Sequence, residues 1–322
     1  MDGGSASIRP AFPPSVRPPY NSPMPALHTL LRNSIDYAGL FPPAGLGMAE
    51  AVANYGSYRS GPHAWALGRF VVPAARLEEL EEAAAALLPR SPSAGGWRVA
   101  ALLGADPAPE LEAIGELNCR HAAEGAGALA VDVVEAKADS PELVERLLSA
   151  VPDYLQAYVE IPLGRDPAPL AAAAAARGGR LKVRTGGITA DAFPSAADLV
   201  RFIRAATRAG VAFKATAGLH HPLRAEYRLT YEPGSACGTM FGFLNLFLGA
   251  AFVAAGLADG EAERLLEERD PAAIRFDAAA VEWRGRRLDE EALRAARERA
   301  IVSFGSCSFT EPIADLQSLG LL

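Results

Sequence analysis

Eight short apolar segments alternate along the chain with longer amphipathic ones, and this alternation restricts the fold more than any other feature of the sequence. Each segment is rich in Val, Ile, Leu or Phe without regular polar alternation, as expected of a parallel strand covered on both faces. Most are separated by helix signals at intervals of roughly 25 to 35 residues. The segments are residues 34–41, 68–74, 97–104, 128–136, 157–163, 180–187, 212–219 and 300–309.

Two of the intervening segments carry clear helix boundary signals. Ser140 can cap the helix that follows it, with Pro141 in the first turn of that helix. Ser195 and Asp198 have the spacing of a capping box, and Gly210 is placed to end that second helix. Eight strands alternating with such helices predict an α/β fold of the (β/α)8 TIM barrel type. A doubly wound open sheet is the alternative, although no glycine-rich dinucleotide or phosphate-binding motif follows any of the strands.

Two parts of the chain depart from the regular pattern. Residues 1–25 are rich in Pro, Ser and Gly and lack the apolar core of a signal peptide, so we expect a disordered tail. Residues 26–322 are expected to form a single domain. About 80 residues separate the last two strands, and we interpret residues 223–300 as an insertion with an apolar helix, a charged helix and a small hairpin.

The apolar helix raises the question of a membrane. Residues 240–258 are uncharged and long enough to span a bilayer, but Asn245 and several glycines favour a buried or interface helix. Covering the barrel and burying a homodimer interface need the same apolar surface, so the sequence leaves both open, and we expect a homodimer. The net charge of −7 disfavours a nucleic-acid partner. Three widely spaced cysteines indicate a reducing compartment, and we expect a cytoplasmic protein.

The positive charges are divided very unevenly between arginine and lysine. Of 31 Lys and Arg residues only three are lysines, namely Lys137, Lys182 and Lys214. All three fall at the carboxyl ends of predicted strands, where barrel enzymes hold their reactive residues. A desolvated lysine, unlike arginine, can lose its proton and become a nucleophile. The pattern therefore indicates Schiff-base chemistry on a carbonyl substrate, and solvated rim lysines are the alternative.

Carboxylates and a further cation accompany these lysines. Asp132 lies in the fourth predicted strand and Glu160 in the fifth, where either could move protons. The side-chain period of two places Lys182 and Arg184 on one face of their strand. Burial and neighbouring cations would both disfavour the charged form of a lysine there. Asp36 could lie at the barrel mouth or in a Pro-Pro turn over the barrel end.

The strand-end motifs resemble those of the 2-deoxyribose-5-phosphate aldolases, which are class I aldolases on a (β/α)8 barrel. The family motifs K-T-S-T-G, F-K-x-x-G-G and F-G-A-S-S correspond to K-V-R-T-G at 182–186, F-K-A-T-A-G at 213–218 and F-G-S-C-S at 304–308. Asp132 in its D-x-V context and the I-D-Y segment at 35–37 are similar to two further family motifs. These matches occur in order and extend from residue 34 to near the C-terminus, as expected of a divergent superfamily member.

The resemblance implies roles for individual residues. Lys182 would form the Schiff base, Lys214 would favour its neutral form, and Asp132 would help to move protons, with no cofactor and no metal. The predicted substrate-binding residues are Arg184, Glu160, Asp36, Gly218, His220, Gly305, Ser306 and Ser308.

Several departures from the family pattern change the expected substrate. Arg184 replaces a small hydroxyl residue, Ala217 replaces a glycine, and Cys307 replaces a serine. Because the glycine and serine positions bind phosphate in the family, we predict an aldolase-type lyase of altered substrate range. Its small carbonyl substrate would be an oxo-acid or a sugar-derived aldehyde, and Arg184 could pair bidentately with a carboxylate.

Two other functions stay open from the sequence. His220 and His221, with Glu160 and Asp132, could form the site of a metal-dependent lyase or hydrolase, although adjacent histidine side chains diverge. A barrel that binds a metabolite without turnover is the second alternative. Catalysis by Cys307 is disfavoured, because the sequence reveals no partner for its thiol.

Overall fold

Eight parallel strands close into a barrel in the computed structural model, which describes residues 24–90, 95–123 and 126–322. The strands, in chain order, are β1 (Ile35–Tyr37), β2 (Leu67–Pro73), β3 (Trp97–Leu102), β4 (Leu129–Lys137), β5 (Gln156–Glu160), β6 (Arg180–Arg184), β7 (Phe213–Thr216), β8 (Ala225–Arg228), β9 (Cys237–Met240), β10 (Ile274–Phe276), β11 (Ala280–Trp283), β12 (Arg286–Asp289) and β13 (Ile301–Ser306). The order around the barrel is β1-β13-β7-β6-β5-β4-β3-β2. The predicted (β/α)8 barrel is therefore confirmed, with β13 as its eighth strand.

Helices surround the barrel and follow most of its strands. In chain order they are α1 (Pro25–Leu31), α2 (Met48–Ser60), α3 (Leu77–Ala84), α4 (Pro107–Ala122), α5 (Pro141–Ala150), α6 (Ala168–Ala176), α7 (Ala196–Ala209), α8 (Phe243–Ala254), α9 (Asp259–Leu266), α10 (Glu290–Arg299) and α11 (Thr310–Ser318). Residues 1–23 of the predicted tail lie outside the described residues, and Pro25 already belongs to α1.

The helix boundaries follow the local chemistry that the sequence predicted. The Ser140 hydroxyl accepts a hydrogen bond from the Leu143 amide at the start of α5. The Ser195 hydroxyl does the same for the Asp198 amide at the start of α7. Gly210 ends α7 at φ 67°, a left-handed conformation that favours glycine. These capped helices present apolar faces to the barrel, as where Phe202 of α7 packs edge-on against Phe213.

Strand β4 contains an irregularity that positions the acidic residues of the barrel. Val131 pairs with Val99 of β3 and Val133 pairs with Ala100, so Asp132 is an extra residue in β4. In a regular strand Asp132 and Glu135, three positions apart, would point to opposite faces. The bulge removes that constraint and allows both carboxylates to meet side chains from other barrel strands.

Residues between β7 and β13 form the predicted insertion. Strands β8 and β9 make an antiparallel hairpin, and the predicted small hairpin near residue 280 is in fact a three-stranded antiparallel sheet of β10, β11 and β12. The third strand was missed because its segment, Arg-Arg-Leu-Asp, is mostly charged and has only one apolar residue.

The apolar helix α8 covers the barrel. All of its residues except Ala254 are buried, and Phe243 and Phe247 pack on Phe304 of β13. The chain itself therefore covers this apolar surface, which answers the question left open by the sequence, and the homodimer stays a prediction. In the described part of the chain, no helix has both the length and the apolar character required to cross a bilayer.

Candidate active site

Two lysines lie side by side in the barrel interior. Lys182 of β6 and Lys214 of β7 are register partners, so their side chains leave adjacent strands at the same height. Their residues are 5% and 2% exposed, respectively. Both lie at the second or third residue of a short strand that is followed directly by its loop at the carboxyl end of the barrel. An ammonium group this deeply buried requires partners of opposite charge.

Glu135 supplies a partner to both lysines. Its Oε1 lies 2.6 Å from Nζ of Lys214, and its Oε2 lies 2.7 Å from Nζ of Lys182. Glu135 stands on β4, with β5 between it and the lysine strands, so these contacts cross the barrel interior. This bridging carboxylate was not among the residues that the sequence predicted for the site.

A second carboxylate completes the surroundings of each lysine. Nζ of Lys182 lies 2.9 Å from Oε2 of Glu160, and Nζ of Lys214 lies 2.6 Å from Oδ2 of Asp36. Asp36 thus lies inside the barrel and not in a covering turn. The hydroxyl of Ser303 and the backbone amide of Arg69 also donate to its two oxygens. Three carboxylates therefore face two ammonium groups, and the buried cluster has one negative charge in excess.

The pKa values of the cluster reflect this pairing. Burial raises the pKa of Glu135, but the charges and hydrogen bonds of Lys182 and Lys214 outweigh burial and lower it to about 2. Burial lowers the pKa of Lys214, yet Asp36 and Glu135 raise it above its ordinary value. Lys214 is therefore a fixed cation whose charge is matched by two carboxylates. The sequence interpretation, in which Lys214 acts on its neighbour as an unmatched like charge, overlooked this neutralisation.

Asp132 does not join the lysine cluster. It accepts hydrogen bonds from both Nε and Nη2 of Arg69, at 2.6 and 2.8 Å, and from Nε of Arg98 at 2.9 Å. Arg69 is near the start of β2 and Arg98 near the start of β3, so Asp132 lies closer to the amino-terminal end of the barrel than Glu135. The predicted place of Asp132 beside the lysines is occupied by Glu135, because the bulge at Asp132 shifts the alternation of β4.

The lysines open into a cavity of about 300 Å³ at the carboxyl end of the barrel. This volume is near the lower end for small-molecule sites. The lining includes the predicted residues Gly218, His220 and Gly305. Apolar side chains and the loop after β1 enclose much of the rest, namely Ala38, Phe41, Pro42, Pro43, Val71, Leu102, Ile188, Leu229 and Met240.

Arg184 lies at the rim of this cavity. Its side chain is exposed, and within the described residues it makes neither a hydrogen bond nor an ion pair. It also lines a second cleft of about 760 Å³, which Glu160 and Lys137 share. The side chain of Lys137 is 80% exposed, and its Nζ makes a long contact of 4.0 Å with Oε1 of Glu160. Lys137 is therefore a solvated lysine at the rim, unlike the other two.

The turn after β7 departs from ordinary backbone geometry. Ala217 and Gly218 both adopt positive φ angles, 66° and 71°. A Cβ on Gly218 would lie 2.7 Å from the ring of Phe193, so the position requires glycine for space as well as for conformation. The Thr185 hydroxyl donates to the carbonyl of Ala217 at 2.7 Å and holds the turn against β6. The turn brings the backbone to the cavity wall.

The two adjacent histidines do not form the metal site considered from the sequence. His220 lies 3.2 Å from Glu311, and His221 lies 2.6 Å from Asp315 and stacks on Tyr227. Neither meets Glu160 or Asp132. No group of three or more His, Cys, Asp or Glu residues among those described is arranged to hold a metal ion.

The serines and the cysteine at the end of β13 have distinct surroundings. Ser306 is buried, with its Oγ 3.4 Å from Nδ1 of His220. Ser308 instead caps α11, because its hydroxyl accepts a hydrogen bond from the amide of Glu311. The Cys307 thiol lines the cavity and lies 3.9 Å from the same Nδ1 of His220, so it has a partner that the sequence did not reveal.

No protein-family model matches the chain, and no curated protein matches its sequence. The site consists of two buried lysines and three carboxylates inside the TIM barrel, below a small and mostly apolar cavity.

Proposed function

We propose that this protein is an aldolase-type carbon–carbon lyase that forms a Schiff base between Lys182 and a small carbonyl substrate. One observation carries the proposal: Lys182 lines the cavity at the carboxyl end of the barrel, and its Nζ lies within 3 Å of two carboxylates, Glu135 and Glu160. A lysine that is to attack a carbonyl must first lose a proton, and the carboxylate of Glu160 is within reach to accept it. A solvated rim lysine, such as Lys137, has no such arrangement.

The covalent steps balance with the groups at hand. The amine of Lys182 adds to the carbonyl carbon, the resulting carbinolamine loses water with the help of a protonated carboxyl group, and an iminium ion remains. Cleavage then removes the proton of the β-hydroxyl group, breaks the carbon–carbon bond and moves its electron pair toward the iminium nitrogen. The resulting enamine takes a proton on carbon, and water releases the product and restores Lys182.

The charges around Lys182 favour the formation of a Schiff base there. The iminium ion carries the same single positive charge as the ammonium group it replaces, so the charges of Glu135 and Glu160 favour both species, and its one N–H can donate to one of the two carboxylates. Lys214 stays protonated because Asp36 and Glu135 raise its pKa. Its role in the proposal is to keep Glu135 ionised and fixed, while Lys182 reacts.

The substrate class follows from the rim of the cavity. Arg184 presents a guanidinium group that no described side chain pairs with, and guanidinium groups bind carboxylates through two parallel hydrogen bonds. We therefore place a small oxo-acid first among candidate substrates and a sugar-derived aldehyde second. The cavity of about 300 Å³ suits a molecule of a few carbon atoms.

Trapping with borohydride tests the proposal. Wild-type protein is incubated with borohydride and, separately, pyruvate, 2-oxobutyrate, acetaldehyde, glyceraldehyde or deoxyribose 5-phosphate, and its intact mass is measured. We expect a single adduct that disappears in Lys182→Arg and persists in the matched variant Lys137→Arg. Circular dichroism spectra confirm that both variants are folded.

Other outcomes would decide against the proposal. An adduct that survives in Lys182→Arg would assign the amine elsewhere. No adduct with any carbonyl, while tested compounds still bind to Lys182→Arg with unchanged affinity, would favour a barrel that binds a metabolite without turnover. Ordinary aldolase rates with deoxyribose 5-phosphate would contradict the altered substrate range.

A further inference from the structure

His220 forms a second group of ionisable side chains on the wall of the lysine cavity. It follows β7 and is 7% exposed, and it lines the cavity together with Lys182 and Cys307. Its Nδ1 is 3.2 Å from Oε2 of Glu311. Nδ1 also has the contacts with the Ser306 hydroxyl and the Cys307 thiol, so in the described residues all polar contacts of the ring are made through one nitrogen.

Glu311 is itself held in place. It stands in the first turn of α11, its amide donates to the Ser308 hydroxyl, and its Oε2 accepts a hydrogen bond from the Tyr231 hydroxyl at 3.0 Å. A carboxylate fixed in this way selects the imidazole form that carries its proton on Nδ1. The second nitrogen of His220, Nε2, is then the one that can exchange a proton with a ligand.

We propose that His220 is the general acid–base residue of the carbon–carbon bond step, with Glu311 as the residue that positions its ring. The inference rests on the proposed Schiff-base function and adds a residue to it. In cleavage, Nε2 accepts the proton of the β-hydroxyl group while that oxygen becomes the aldehyde carbonyl. In the reverse reaction, aldol addition, the protonated ring returns the proton to the aldehyde oxygen as the new carbon–carbon bond forms.

The bond-forming step needs such a group because the carboxylates near Lys182 are already engaged. Glu135 and Glu160 both bind the lysine amine, and Glu135 also binds Lys214. The β-hydroxyl group is carried by the second carbon from the iminium carbon, so its proton transfer takes place away from the lysine nitrogen. A positioned acid or base typically contributes about 100-fold to 10,000-fold to such a proton transfer.

The surroundings of His220 predict the pH dependence of this step. Glu311 faces it from α11 and Cys307 from the end of β13. Tyr231, in the loop after β8, contacts both of these side chains, and His221 follows His220 in the chain with its own partner Asp315. Burial lowers the pKa of His220, but hydrogen bonds and charges of Cys307 and Glu311 raise it to about 9. Cleavage, which needs the neutral ring, should rise about tenfold per pH unit up to about pH 9.

The experiment separates the two halves of the reaction. The donor is pyruvate, or acetaldehyde if acetaldehyde gives the larger borohydride adduct. Exchange of the donor α-protons in D2O, followed by NMR, reports enamine formation, and addition to glyceraldehyde and its reversal report the carbon–carbon step. In His220→Gln we expect trapping and exchange to stay within about twofold of the wild type, while addition and cleavage fall at least 100-fold.

Two further proteins serve as comparisons. Glu311→Gln should move the pH midpoint of cleavage below that of the wild type, because it removes a charge that raises the pKa of His220. His63→Gln changes a histidine outside the cavity, whose ring contacts Gln317, and should leave all three rates unchanged.

The possible outcomes are distinct. If His220→Gln cleaves at the wild-type rate, or loses trapping together with cleavage, His220 has no specific role in the bond step while the Schiff-base function stands. If the wild type forms no adduct, the proposed function fails and this inference with it. If His220→Gln does not fold, the wild type alone tests the inference. Its cleavage rate must rise with pH and level off near pH 9, and its exchange rate must not show this dependence.

Discussion

The two oxygens of Glu135 bind different lysines, and this sharing of one carboxylate explains how two ammonium groups can be buried in the barrel interior. Burying one ion costs several kcal/mol unless its partners are well placed. Here each ammonium has two carboxylate contacts between 2.6 and 2.9 Å. The arrangement is stable as a set, and removal of either lysine leaves buried carboxylates without their cation.

Replacement of Lys214 by Met should therefore destabilise the protein strongly. Asp36 and Glu135 would lose their shared cation, and breaking a buried pair in this way typically costs about 3–5 kcal/mol. The free energy of unfolding in urea measures the effect. Lys137→Met is the control, since its side chain is 80% exposed, and it should change the free energy of unfolding very little. A Lys214→Met protein as stable as the control would contradict the importance of the pairing.

Acid should weaken the same cluster over a defined pH range. The folded-state pKa of Glu135, about 2, is below its ordinary value of 4.5, so its contribution is fully present above pH 4.5 and is lost as pH falls toward 2. The shift corresponds to roughly 3 kcal/mol. We expect the free energy of unfolding of the wild type to fall between pH 5 and 3 by more than that of Glu135→Gln. Parallel curves for the two proteins would argue against a depressed pKa.

At the residue scale, the sequence predicts the lysines better than their partners. Lys182 and Lys214 stand out because lysine is rare in this chain, and Glu160 and Asp36 lie on predicted strands. Glu135 was missed because the sequence interpretation placed Asp132 inside the barrel. In a regular strand with a side-chain period of two, Glu135 would then point outward. The Val-Asp-Val-Val sequence of the bulge contains no glycine or other signal of an irregular strand.

Among the elements, α8 depends on one polar residue. Asn245 is fully buried, and its side chain donates to the carbonyls of Leu265 and Glu268 and accepts from the amide of Arg224, each at 2.9 Å. It therefore joins α8 to the end of α9 and to the segment before β8. The sequence offered Asn245 only as an argument against a membrane span, since its partners lie about 20 residues away in either direction.

Replacement of Asn245 by Leu should test this joint. The two side chains are similar in size, but three backbone groups would each lose one hydrogen bond, at a cost of about 2–4 kcal/mol. Urea unfolding measures the loss. Asn54→Leu is the comparison, because the half-buried Asn54 makes a single 3.4 Å hydrogen bond to Tyr37. Equal effects of the two substitutions would show that the Asn245 contacts contribute little.

On the scale of the whole molecule, the barrel is closed by a strand that comes about 80 residues after its neighbour β7. The insertion is tied to the rest of the barrel: Arg204 of α7 donates to Asp259 at the start of α9 at 2.9 Å, and Phe247 of α8 packs against Phe304 of β13. Within the insertion, the Trp283 ring packs against Phe252 of α8. The sequence predicted the barrel because eight apolar segments are a strong pattern. It did not predict these ties, which depend on contacts between segments with no common periodicity.

The ties predict that barrel and insertion unfold together. One variant keeps only Trp97 of β3 as a fluorescent probe, with Trp65→Phe and Trp283→Phe, and a second keeps only Trp283 of β11, with Trp65→Phe and Trp97→Phe. In each variant we expect the fluorescence transition in urea to coincide with the far-ultraviolet circular dichroism transition. An earlier fluorescence transition in the Trp283 protein would mean that the insertion is a separate folding unit.

The scarcity of lysine also makes the proposed catalytic amine easy to locate by peptide mapping. A protease that cuts after lysine divides this sequence at only three places. A covalent group on Lys182 blocks one of them, so residues 138–214 would be recovered as a single peptide instead of two. Amine-directed reagents applied to the folded protein should reach Lys137, whose side chain is 80% exposed, well before the buried pair. For reagents too large to enter the cavity, protection of Lys182 and Lys214 thus measures how often the barrel opens.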